Sequence, residues 1–105
     1  MVTIRGKSDD CLRAVADALA KYEEQHPRAE VVVYRQNSVS VRIRIVDPDF
    51  EGVSKADRHD AVWGFVEDLP EDQQSEISVV LLLTPEEARM SFASSDFDNP
   101  IPSRL

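Results

Sequence analysis

Apolar positions recur at two different periods along the chain, and the changes of period mark out its elements. Leu12, Val15, Leu19 and Tyr22 stand at helical spacing, with Ala16, Ala18 and Ala20 adding helix propensity at little bulk. Ser8 followed by Asp9 and Asp10 is a start signal, offering a hydroxyl to the first free amides and two carboxylates to the positive helix end. His26-Pro27 ends this helix, because a residue before proline avoids the α region. Residues 31–34 and 39–46 are β-rich and are separated by Gln36-Asn37-Ser38, so an antiparallel hairpin is predicted. With a two-residue turn, Val32, Tyr34, Val41, Ile43 and Ile45 share a core face. Val31, Val33, Arg35, Ser40, Arg42 and Arg44 then share a wet, basic one.

Asp47-Pro48 breaks the second strand, Phe50 is placed to plug the end of the core, and Gly52 permits a turn. Ser54 with Asp57 three residues on caps a second helix, whose apolar positions Val62, Phe65, Val66 and Leu69 follow the helical pattern up to Pro70. Residues 77–83 are the most hydrophobic run, predicted as a strand covered on both faces and parallel to the second strand. Val79 and Leu81 are its expected core positions. Thr84-Pro85-Glu86-Glu87 starts a short helix. The pattern predicts an α+β fold: a single αββαβα domain over residues 1–91, with a three-stranded mixed sheet packed against helices. Residues 92–105, containing Ser, Asp and Pro, read as a flexible tail.

A chain of 105 residues forms one domain with little room for a deep cleft. The formal charge of −8 opposes general attraction to nucleic acid or anionic membranes. The single cysteine, Cys11, excludes an internal disulfide and any multi-thiolate metal site, which points to a reducing compartment. The longest apolar run is too short to span a bilayer, so a cytoplasmic protein is expected. Charge is nonetheless segregated: residues 28–46 carry Arg28, Arg35, Arg42 and Arg44 against Glu30 alone, +3 locally against −11 elsewhere. Arginine forks on a sheet face suit phosphate or carboxylate, or else pair with the protein's own acidic helices or tail.

Two histidines and one cysteine offer no recognisable nucleophile–base spacing, so no catalytic residue, metal ligand or cofactor is assigned and no enzyme is expected. His26 reads as a helix C-terminal capping residue. Cys11 reads as a small buried residue.

Phe50, Gly52, Ser54, Arg58, His59 and Val62, with Thr84-Pro85-Glu86-Glu87 after the next strand, resemble the pattern of BolA-like proteins over roughly residues 9–90. The resemblance implies a fold similar to a class II KH domain and a non-enzymatic partner of monothiol glutaredoxins that shares an iron–sulfur cluster. The ligands it implies are a histidine at the start of the third strand and a cysteine or histidine in the hairpin loop. Here those positions hold Glu76 and Gln36, Asn37 and Ser38, so no cluster is expected. The reading that follows is an interaction or regulatory module for a protein partner, monomeric or homodimeric, with Arg35, Arg42, Arg44, Arg58 and His59 as the candidate surface. The alternatives are a KH-like nucleic-acid binder using the Arg-rich face or the Arg58-His59 helix, opposed by the lack of a GxxG loop, and a purely structural or dimerising protein.

Overall fold

The hairpin forms where the sequence predicts it, but with one residue more than a regular ladder holds. The computed structural model describes residues 2–99. Its elements are β1 (Thr3–Arg5), α1 (Asp10–Gln25), β2 (Glu30–Asn37), β3 (Ser40–Val46), a 3₁₀ turn (Pro48–Phe50), α2 (Lys55–Val66), α3 (Glu71–Gln74), β4 (Ile77–Leu83), α4 (Pro85–Met90) and α5 (Phe92–Asp98). The sheet is mixed, in the order β1-β2-β3-β4, with β2 and β3 antiparallel and both outer strands parallel to their neighbours. The expected three strands are thus four, since residues 3–5 add a short strand along β2. A three-residue strand carries almost no periodic signal of its own, and its pairing with Val32–Tyr34 defines it.

Asn37 pairs with Ser40 around a two-residue turn, and Arg35 pairs with Val41, leaving Gln36 as an extra residue. This bulge shifts β2 by one position against β3. Val31 and Val33 therefore lie opposite Ile45 and Ile43 in the core, while Val32 and Tyr34 lie opposite Arg44 and Arg42 on the other face. A second irregularity between Val41 and Arg42 does the same to β4, where Val80 and Leu82 pair with Ile43 and Ile45 and pack with the core. Val79 and Leu81, expected inside, stand beside Arg42 and Arg44. Because side chains alternate with period two, each single-residue slip exchanges the faces of a whole strand.

α1 and α2 cover the core face of the sheet. Leu12, Val15, Leu19 and Tyr22 of α1 and Val62 and Val66 of α2 are buried against Val31, Val33, Val41, Ile43 and Ile45, with Phe50 closing one end. Each such side chain contributes about 1.5–3 kcal/mol by leaving water. The cap of α1 is one residue later than expected, Asp9 in place of Ser8 accepting from the Leu12 amide, while the other two follow the sequence: Ser54 accepts from the Asp57 amide, and Thr84 with Glu87 forms a reciprocal capping box.

Residues 92–98, read as the start of a flexible tail, are helix α5, capped by Ser91 and packed on the outer face of β3. Phe97 is 1% exposed, with its ring edge-on to Tyr34 at 4.8 Å. The remainder of the expected tail, residues 100–105, lies outside the described residues.

Candidate interaction site

The five residues singled out from the sequence do not share one surface. Arg42 and Arg44 point to the outer face of β3, which α5 covers. Arg42 Nη1 lies 3.4 Å from Asp96, and Arg44 Nη1 lies 2.8 Å from Asp98 and 3.1 Å from the Ser94 hydroxyl. Arg5 of β1 completes this cover: it reaches Asp98 at 3.3 Å and sits over the rings of Tyr34 and Phe97. Asp98 is held below the usual carboxylate range, mainly by its hydrogen bond from Arg44. The basic face is thus occupied by an acidic helix of the same chain.

Arg35 falls on the opposite face because of the bulge at Gln36. It pairs with Asp9, the cap of α1, and with Glu76 at 2.9 Å, tying the start of α1 to the start of β4. Arg58, expected at the surface, is 5% exposed. Its Nε donates to the Val53 carbonyl at 2.8 Å and its Nη1 to the Leu82 carbonyl at 3.0 Å, while both terminal nitrogens grip the Glu87 carboxylate. The Arg58 guanidinium and the Thr84 amide hold the Glu87 carboxyl down to about 2. This arginine clamps α2, β4 and α4 together.

Of the five, His59 is open to solvent. Its ring stacks on Trp63 one turn along α2, at 5.5 Å and 11°. Together with Lys55 it borders a groove of about 270 Å³, whose other wall is Val80, Leu81, Leu82 and Leu83. Four consecutive strand residues line it, so both faces and the backbone edge of β4 contribute. β4 is an outer strand, and an outer strand leaves alternate amides and carbonyls turned away from its sheet. Arg58 already donates to the Leu82 carbonyl, so the groove offers the rest of the strand's outward backbone, aliphatic side chains, Lys55 and His59. Sequence reasoning missed the β4 edge because its hydrophobic run reads as a strand covered on both sides.

The hairpin turn and the start of β4 lie at one end of the sheet, where the Val41 amide donates to the Glu76 carbonyl at 2.6 Å. Among the described residues the groups there are a poor match for an iron–sulfur cluster. Glu76 is ion-paired with Arg35, and burial, then the charge of Glu76, pushes the nearby Cys11 thiol up, away from the thiolate that iron requires. Among these residues, moreover, no helix is long and apolar enough to cross a membrane.

Comparison with protein-family models and with curated proteins returned no match. Among solved structures the chain is similar to BolA1 from Arabidopsis thaliana, with a TM-score of 0.51 and 18% sequence identity over 76% of this chain and 98% of that chain. The chain has a BolA-like fold.

Proposed function

We propose, from the premise of a BolA-like fold, that this chain is a non-enzymatic interaction module that works without an iron–sulfur cluster in the cytoplasm. It binds a protein partner at the groove between α2 and β4. The partner enters as an extended segment, adding a strand to the outer edge of β4 and setting an acidic side chain against Lys55 and His59. The observation that carries this reading is an outer, largely hydrophobic strand whose edge has no strand partner among the described residues, beside Lys55 and His59, with the Leu82 carbonyl there held by Arg58. Strand addition draws affinity from main-chain hydrogen bonds and selectivity from alternate side chains. An acidic side chain is favoured at Lys55, the charged group of the groove lining, and repulsion from the remaining acidic surface narrows the approach.

Nucleic acid is the weaker reading, because Arg42, Arg44 and Arg58 are already paired within the chain and the net charge is −8. The direct test is affinity capture from native extract with wild type and with Val80→Pro. Proline on an edge strand removes a donor and obstructs an added strand. Loss of a specific protein from the capture with an unchanged circular dichroism spectrum supports strand addition; an unchanged capture excludes it.

A further inference from the structure

Beyond the C-terminal end of β4, where the Asp47 amide donates to the Leu83 carbonyl at 2.9 Å, the end of α1 meets the turn after β3, and three ligand-type side chains converge there. Asp47 is fully buried, at 0% exposure, and Asp49 stands two residues on at the surface. His26 directs Nδ1 between them, 3.0 Å from Asp49 Oδ2 and 3.4 Å from Asp47 Oδ2. The donor atoms of the three residues lie within 4.8 Å of one another.

Each donor is oriented by a second contact. Arg28 donates to Asp49 Oδ1, which leaves Oδ2 facing the histidine. Asp47 Oδ1 accepts the Asp49 amide at 2.9 Å, and its Oδ2 accepts the Tyr22 hydroxyl at 2.7 Å. The imidazole is stacked on the Tyr22 ring, 4.2 Å between centroids and 13° apart. Supporting contacts of this kind hold ligands in place around metals. Two carboxylates turned towards one point repel each other, and a cation at that point relieves the repulsion. The two distances from His26 Nδ1, 3.0 and 3.4 Å, suit an ion: donors about 2.1 Å from a common metal stand about 3.0–3.4 Å apart at octahedral or tetrahedral angles.

We propose that His26, Asp47 and Asp49 form a binding site for one divalent transition-metal ion of the zinc class. The imidazole favours such an ion over calcium or magnesium. Water would complete the coordination, since Asp49 is at the surface. Bound there, the ion is a clip: it joins the end of α1 to the Pro48–Phe50 turn, from which the chain runs into α2. The site shares no side chain with the groove, although the Asp47 amide donates to the Leu83 carbonyl, and it stands whether or not the β4 edge binds a partner.

The test uses the full chain, without an affinity tag that binds metal, stripped with a chelator and titrated with cobalt(II), followed by zinc(II) in competition. One equivalent of cobalt should give a visible absorption band that zinc removes. Asp49→Asn and His26→Gln should each weaken cobalt binding at least tenfold with the circular dichroism spectrum retained, whereas His59→Gln and Cys11→Ser should leave it unchanged. Zinc should raise the Tm of wild type, as a ligand specific to the folded state does, and should not raise that of Asp49→Asn. No cobalt band and no zinc-dependent Tm shift near neutral pH would overturn the proposal and leave a histidine bridging two carboxylates. A band that survives both Asp49→Asn and His26→Gln, or that disappears in His59→Gln or Cys11→Ser, would overturn it as well.

Discussion

Beneath α5, Arg5, Arg42 and Arg44 meet Asp96 and Asp98, whereas beside β4, Lys55 and His59 make no ion pair among the described residues. The first region carries the stronger charge signal in the sequence and the second carries almost none. Yet the first is closed by the chain itself and the second is open. The difference follows from what each region must satisfy. Three arginines and a tyrosine on one sheet face attract any acidic aromatic segment within reach, and Asp96-Phe97-Asp98 is already tethered by α4. The β4 edge asks for another strand, and no strand of the described residues is left to supply one.

The largest effect that sharpens this contrast is expected at Phe97. Its ring is buried against Tyr34 and lies under Arg5 and Arg44, so Phe97→Ala should lower stability by about 3–5 kcal/mol in urea denaturation. A loss below about 1 kcal/mol would mean that α5 does not close the face. Next comes Arg58→Ala, which strands the carbonyls of Val53 and Leu82 and should cost about 1–3 kcal/mol. An almost neutral result in the same measurement would return Arg58 to the candidate surface.

A smaller effect is expected from Glu87→Gln, and it depends on pH. The folded-state carboxyl is depressed from the ordinary 4.5 to about 2, so its contribution is fully present above about pH 4.5 and is lost as pH falls towards 2. The side chain is 41% exposed, and solvent screening keeps the contribution below about 1 kcal/mol. Stability measured across that range should fall less steeply in the variant than in wild type; parallel curves would contradict the pairing. The smallest effect belongs to His59→Ala, an exposed position whose loss should change stability by no more than about 0.5 kcal/mol.

The same contrast explains what the sequence could disclose. The caps at Ser54 and Thr84, the α1 stripe and the strands at β3 and β4 are local signals, and each was legible; the start of α1 was legible to within one residue, Asp9 and not Ser8 supplying the cap. The faces of β2 and β4 were not, because one extra residue near Gln36 and another irregularity near Ser78 decide them. Helix α5 was illegible for a different reason. Its residues have weak helix propensity, and tertiary contacts through Phe97 and the two aspartates hold it in place. His59 was found from its motif, while the groove beside it depends on strand order, which periodicity does not encode.

If the α2/β4 groove, and not the basic face, receives the partner, capture should follow the charges of the groove. The most direct measurement is quantitative affinity capture with three forms of the full chain: wild type, Lys55→Glu with His59→Glu, and Arg42→Gln, each checked for folding by circular dichroism. A protein enriched by wild type should be lost from the groove variant and retained by Arg42→Gln. Retention by the groove variant together with loss from Arg42→Gln would contradict that expectation.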